Sequence, residues 1–185
     1  KPTGGWWNWK DEKVALEVGI GAAFAGARVL VTMKHVGVNV AADPLFTAAY
    51  TGVSGALVLV SADDPGMASS QNEQDNRRYA VAAGVPMLEP SDSQEAYDFL
   101  LAAMSLSERH KMPVMLRMTT RVCHSKTMVE RRGGFPAARA PSFERDIAGR
   151  VMVPGYARPA HKKLRARLDE IQKENEKSPL NVWRR

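Results

Sequence analysis

What this chain lacks narrows it quickly. It has one cysteine, Cys123. That excludes an internal disulfide framework, and it excludes an all-cysteine iron–sulfur cluster within the chain, which takes about four thiolates. Such cysteine usage points to a reducing compartment, the cytoplasm. No run of about 18 apolar residues occurs, so no transmembrane helix is expected. The N-terminus lacks the basic-then-apolar layout of a signal peptide. It also lacks an initiating Met, and the chain is expected to be a fragment or a processed form. No GxxxxGK[ST] loop, GxGxxG fingerprint or GxSxG elbow is present, which removes common nucleotide-binding and hydrolase readings. His35 has no HxxxH or CxxC companion, so no metal site is expected there.

What is present is globular: 185 residues, 44% hydrophobic and 25% charged, the size of one domain with an appendage. The net charge of +6 is unevenly placed. Residues 1–116 carry nine Lys/Arg against thirteen Asp/Glu, whereas residues 117–185 carry seventeen against seven. The basic character belongs to the C-terminal third, where it is spread along the segment with glutamates interleaved. Without an RNA- or DNA-binding motif, that pattern predicts a solvated or interfacial helix and no nucleic-acid partner.

The patterning alternates. Residues 10–26 (KDEKVALEVGIGAAFAG) read as a small-residue helix capped by Asn8 or Asp11 and ended by Gly26. Gly19 and Gly21 each weaken it by roughly 1 kcal/mol against Ala, which suggests close packing on a neighbour. Residues 28–33 read as a strand, 39–51 as a helix, and 56–62 (ALVLVSA) as a strand apolar on both faces. Residues 71–83 read as a helix, 85–88 as a brief strand, the segment from Ser91 as a capped helix, and 113–118 as a last strand. Ala96, Phe99, Leu100, Ala103 and Leu106 form an apolar stripe on that capped helix. Two-sided burial and strand–helix alternation predict an α/β fold, a parallel-sheet sandwich with helices on both faces. Beyond it, residues 124–156 read as an extended Arg/Gly/Pro-rich arm. Residues 159–177 read as one charged helix whose narrow stripe (Leu164, Leu168, Ile171) rests on a neighbouring domain or subunit.

Three places carry candidate chemistry. Glu12 opens the first helix, as a carboxylate reaching a ligand nitrogen or as an acid favoured by the helix dipole. Glu17 lies about 140° further round and cannot pair with it on one face. Lys34 to Asn39 follow a strand end, where α/β folds bind ligands; Gly37 there would let a planar ligand approach, or Asn39 would cap a turn. His35 reads as a satisfied polar residue. The long polar loop from Ala62 to Asp75 follows another strand end. Its aspartates fit turn chemistry better than Mg²⁺, Ser70 or Asn72 would cap the next helix, and its length suggests substrate or interface contact. Trp6, Trp7 and Trp9 would stack on a ligand or anchor an entry segment in a core or interface.

These residues together resemble a known family. The stretches DEKVALEVGIGAAFAGARVLVTMKHVGVNVAADPLFTAAYTG, SADDPG, SSQNEQDNRRYA, LEPSDSQEAYDF and PVMLRMTTRVCHS, with VMVPGYARPAHKKLRARLDEI and SPLNVW in the tail, are similar to the α subunit of indolepyruvate ferredoxin oxidoreductases. These are thiamine-diphosphate 2-oxoacid oxidoreductases. The pairing of KHVGVNVAADP with SSQNEQD is far more specific than either motif alone.

The resemblance implies a thiamine diphosphate pyrimidine-binding (Pyr) domain over 1–123, N-terminally incomplete, and a basic linker over 124–185. In the family a glutamate, matching Glu12, hydrogen-bonds the aminopyrimidine and promotes the imino tautomer that removes the thiazolium C2 proton. The ylid then attacks the 2-oxoacid, which is decarboxylated. Gly37, Val38 and Asn39 match the neighbouring aminopyrimidine-contacting loop, and Asp64, Ser69, Ser70, Gln71 and Asn72 an active-site rim. The diphosphate-binding (PP) half with its GDG…N magnesium motif and the cysteine-rich ferredoxin-like tail are absent from this sequence. Mg²⁺ and iron–sulfur clusters are therefore expected on other parts of the enzyme, and the isolated chain is expected to be inactive. The implied partners are a PP domain of the same subunit or a second copy, a β subunit, ferredoxin, coenzyme A and a 2-oxoacid. Two alternatives stay open: a non-catalytic domain docking through its tail, and the Pyr domain of a related thiamine-dependent 2-oxoacid decarboxylase.

Overall fold

The computed structural model of the chain describes residues 5–134 and 140–181. Val182 and Trp183 of the tail motif, and part of the arm expected over 124–156, lie outside those residues. Helix α1 spans Glu12–Phe24, and Asp11 caps it by accepting from the Val14 N–H at 3.0 Å. It leads to strand β1 (Arg28–Lys34), short helix α2 (His35–Val40), helix α3 (Ala42–Thr51) and strand β2 (Ala56–Asp63). Helix α4 (Asn76–Ala83), strand β3 (Met87–Leu88), helix α5 (Ser93–His110) and strand β4 (Val114–Thr119) complete the sandwich. Helices α6 (Thr120–His124), α7 (Ile147–Arg150) and α8 (Pro154–Asn175) follow.

The four strands run in the order β1-β2-β4-β3, and every pairing is parallel. The expected α/β sandwich is therefore what forms, and alternation along each strand explains its two cores. Leu57, Leu59 and Met115 face one side with Val31 and Met33, packed under Leu16 and Ala23 of α1 and Val38 and Leu45 of α2 and α3. Val58, Val114 and Leu116 face the other side and meet Phe99, Ala103 and Met104 of α5. Strand β1 ends the sheet, and Leu30 on its thinly covered face is 46% exposed.

Gly19 behaves as expected: a Cβ there would stand 2.7 Å from Val31 Cγ2, so the helix backbone lies directly on β1. Gly21 does not, because nothing stands within 4 Å of its Cβ position. Of the loop expected over Lys34–Asn39, Lys34 ends β1 and the rest lies in α2, and the helix expected from residue 71 begins only at Asn76, capped by Asp75 and not by Ser70 or Asn72.

Helix α8 begins earlier than the charge pattern implied, with Pro154 at its first turn. Its stripe is covered by this chain itself. Leu164 and Ile171 join the α1/α3 core, and Leu164 and Leu168 lie over Gly84, which ends α4 at φ 70°. Arg167 donates to the Lys111 carbonyl and Tyr50 meets the His161 ring at 5.4 Å. The three N-terminal tryptophans are not in a core of this chain; Trp6 is 90% exposed.

Candidate functional site

The parallel strands all end on one side, and α1, which returns antiparallel to them, starts there. That topology places the N-terminus of α1 against the beginning of α2. The contact is close: a Cβ on Gly37 would lie 2.6 Å from Glu12 Cγ and 3.1 Å from its Oε1. Gly37 has no left-handed backbone, so what favours glycine there is space and not backbone conformation. The room it leaves holds the Glu12 side chain, where the sequence suggested a planar ligand. Among the described residues no hydrogen bond or ion pair reaches the Glu12 carboxylate. Neighbouring Lys13 is committed to Asp43 at 3.1 Å. The half-buried carboxylate therefore lies over the first turn of α2 with its acceptor oxygens unpaired among the described residues.

The other candidates divide. Val38 is fully buried and its side chain belongs to the core, so it offers a ligand no side-chain contact. Asn39 is exposed on the same short helix. Asp64, expected on a substrate rim, is only 3% exposed and serves the loop itself. It accepts from the Ala68 and Ser69 N–H groups at 3.2 and 2.8 Å, from Ser70 Oγ at 2.6 Å and from Thr120 Oγ1 at 2.7 Å. The Ser70 and Thr120 hydroxyls, then the Ser69 amide, hold its carboxyl well below the usual carboxylate range. Asn72 likewise uses its side chain locally, accepting from Gln74 Nε2 at 3.0 Å. Ser69 and Gln71 are exposed, and their side chains have no partner among the described residues.

Lys34 and His35, the first residues of the candidate segment, tie this loop to the start of α2. Lys34 Nζ donates to the Ser69 carbonyl at 2.9 Å. His35, fully buried, meets the Asn72 carbonyl through Nε2 at 3.1 Å. Because a carbonyl only accepts, Nε2 carries a proton, and Nδ1 has no partner among the described residues. One buried unsatisfied nitrogen costs about 1–3 kcal/mol, while one such hydrogen bond returns only about 0.5–1.5 kcal/mol.

Beneath the loop, buried Arg117 donates to Asp63 at 2.7 Å and also to Glu89. Asp63 in turn accepts from the Asp64 and Asn76 N–H groups. This network joins the carboxyl ends of β2 and β4 to the segment after β3. Its partners lie 28 and 54 residues apart, so no local pattern announces it.

Comparison with known proteins fits this geometry. Residues 6–134 match the family described as pyruvate flavodoxin/ferredoxin oxidoreductase, thiamine diphosphate-binding. The chain belongs to that family. Within it, the indolepyruvate oxidoreductase subunit IorA of Methanothermobacter thermautotrophicus is 47% identical over 171 residues, covering 92% of this chain and 28% of that protein. The IorA subunit of Pyrococcus abyssi is 42% identical over 177 residues, with 92% and 27% covered. The chain thus spans little more than a quarter of the length of these relatives. A solved 2-oxoglutarate:ferredoxin oxidoreductase from Magnetococcus marinus shares the fold at a TM-score of 0.68 and 15% identity, over 92% of this chain and 37% of that one. Among the described residues of this family member, no helix is long and apolar enough to cross a membrane.

Proposed function

We propose that this chain is the pyrimidine-side half of a thiamine diphosphate site in an indolepyruvate-type 2-oxoacid:ferredoxin oxidoreductase. Residues 1–123 form the pyrimidine-binding unit, and residues 124–185 form a basic segment leading from it. The observation that carries the reading is the unpartnered Glu12 carboxylate seated on Gly37. When bound, thiamine diphosphate supplies the electron sink for decarboxylating a 2-oxoacid. Glu12 accepts a hydrogen bond from the aminopyrimidine ring and holds the proton distribution that activates it. Its seat on Gly37 fixes the carboxylate so that no reorganisation is needed at that moment. Asn39, exposed two residues beyond Gly37 on α2, is the further side chain of that helix offered to the cofactor.

The diphosphate and its Mg²⁺ are held by a PP domain of the same subunit or a second copy. Iron–sulfur clusters on other parts of the enzyme would supply the route for electrons to ferredoxin, with a β subunit and coenzyme A as the further partners of acyl-CoA formation. The names of the relatives support an aryl pyruvate as substrate. A lone exposed thiol, Cys123, suits a cytoplasmic setting. The rival reading, docking through the tail, loses support because the apolar stripe of α8 is already covered by this chain.

Glu12→Gln in the complete oxidoreductase is the test. Among the described residues nothing is hydrogen-bonded to that carboxylate, so only its helix-dipole contribution of about 0.3–1 kcal/mol is lost and the melting temperature falls by no more than about 2–4 °C, while acyl-CoA formation is abolished. Wild-type turnover in the variant would refute the assignment.

A further inference from the structure

The end of the fold opposite Glu12 carries a second cluster of unspent charge. Phe24 closes α1, roughly 18 Å along the helix from Glu12 at about 1.5 Å per residue. The arm returns to that end, where the Ser142 N–H donates to the Ala25 carbonyl at 3.0 Å. Between Phe24, the turn over residues 51–54 and the arm residues Glu144, Arg145, Asp146 and Arg150 lies a cavity of about 300 Å³. That is the lower end of the volumes that hold small molecules. Hydrogen bonds set its walls. The Val53 N–H donates to the Lys111 carbonyl at 3.0 Å, and Lys111 Nζ donates to the Ser54 carbonyl at 2.9 Å.

The charges that line this cavity are only partly used by the chain. Arg150 stands 4.7 Å from the centroids of both the Phe24 and the Phe143 rings. Those contacts fix the guanidinium but leave its N–H donors to be satisfied elsewhere. Nη2 reaches Ser54 Oγ at 3.3 Å, a long bond, and buried Nη1 has no partner among the described residues. Asp146 is occupied in capping α7, accepting from the Gly149 N–H at 2.9 Å. Glu144 and Arg145 take part in no hydrogen bond or ion pair among the described residues. Unpaired groups of both signs therefore border one small space. A simple anion there meets Glu144 as a like charge, and a simple cation meets Arg145 and Arg150. A molecule with a carboxylate and an ammonium on the same carbon answers to all three.

We propose that this cavity binds a free α-amino acid. Its carboxylate takes the open donors of Arg150, with Arg145 beside them, and its ammonium donates to Glu144. The bound zwitterion joins the arm to the turn before β2. The site owes nothing to the thiamine reading, because it lies at the amino ends of the strands and Glu12 at their carboxyl ends.

The test titrates L-alanine, propionate and inorganic phosphate into the complete oxidoreductase by calorimetry, in wild type, Arg150→Met and Glu144→Gln. Wild type is expected to bind L-alanine more tightly than propionate or phosphate. Arg150→Met is expected to raise the Kd for L-alanine about tenfold or more, as loss of a charge-assisted hydrogen bond requires. Glu144→Gln is expected to weaken L-alanine and to leave propionate no weaker, since only the ammonium uses that carboxylate. Should Arg150→Met fail to fold, Glu144→Gln carries the test, because Glu144 is exposed and holds nothing in place among the described residues. Four results overturn the proposal: no heat with L-alanine, equal Kd for L-alanine and propionate, phosphate bound in preference, or an L-alanine Kd unchanged in Glu144→Gln.

Discussion

Replacing Gly37 by alanine separates chemistry from stability at the proposed half-site. The added methyl would stand 2.6 Å from Glu12 Cγ. Carbon atoms rest at about 3.5–4.0 Å, so the two must part by about 1 Å. The atom that yields is the middle of a flexible, half-buried side chain, so overpacking costs no more than about 1 kcal/mol, the low end of its range. Alanine also favours the helical conformation of α2 over glycine by about 1 kcal/mol. The two effects offset, and the melting temperature should stay within about 2–4 °C of wild type, the shift that 1 kcal/mol produces in a domain of this size. The carboxylate is nonetheless displaced by about 1 Å, which costs on the order of 10²-fold in rate when geometry decides catalysis. The assay is acyl-CoA formation by the complete oxidoreductase, read beside a thermal melt and a thiamine diphosphate titration. A variant with wild-type kcat refutes the idea that Gly37 seats Glu12. A variant that unfolds shows that the contact serves packing instead.

Two further outcomes follow from the fold. Leu164→Ala, which empties the contact of α8 with Gly84 and the α1/α3 core, should lower stability by about 2–5 kcal/mol in a denaturant titration; an effect near zero would mean that α8 does not rest on this domain in solution. Asp64 has its folded pKa depressed, chiefly by Ser70 and Thr120, so its contribution is complete above the unfolded carboxylate value of about 4 and is lost as pH falls below it. Proteolysis between Pro65 and Gln71 should therefore be slow at pH 7 and quicken below about pH 4, and Asp64→Asn should quicken it at pH 7; cutting that is equally slow in both would contradict the cradle.

The parallel sandwich was legible because apolar runs such as ALVLVSA and capped helices such as the one led by Asp92 are local patterns that fix their own periodicity. Element boundaries were less so. The segment after Lys34 carries a glycine and an asparagine, which read as a loop, yet burial of His35 and Val38 draws it into α2 directly. Tertiary burial overrode propensity there, as it did for α8, where the charged face was visible but the surface beneath it was not.

The sequence by itself determined the fold class, the excess of basic residues in the C-terminal third and the candidacy of Glu12, because residue spacing, charge and a long specific motif pairing are properties of the string. Only the tertiary structure decided what each candidate does. Glu12 meets Gly37 across 25 residues, His35 meets Asn72 across 37, and Arg117 meets Asp63 across 54. Contacts of that separation are set by how parallel strands and their returning helices stack, and no local pattern encodes which side chain stays free once the stacking is complete.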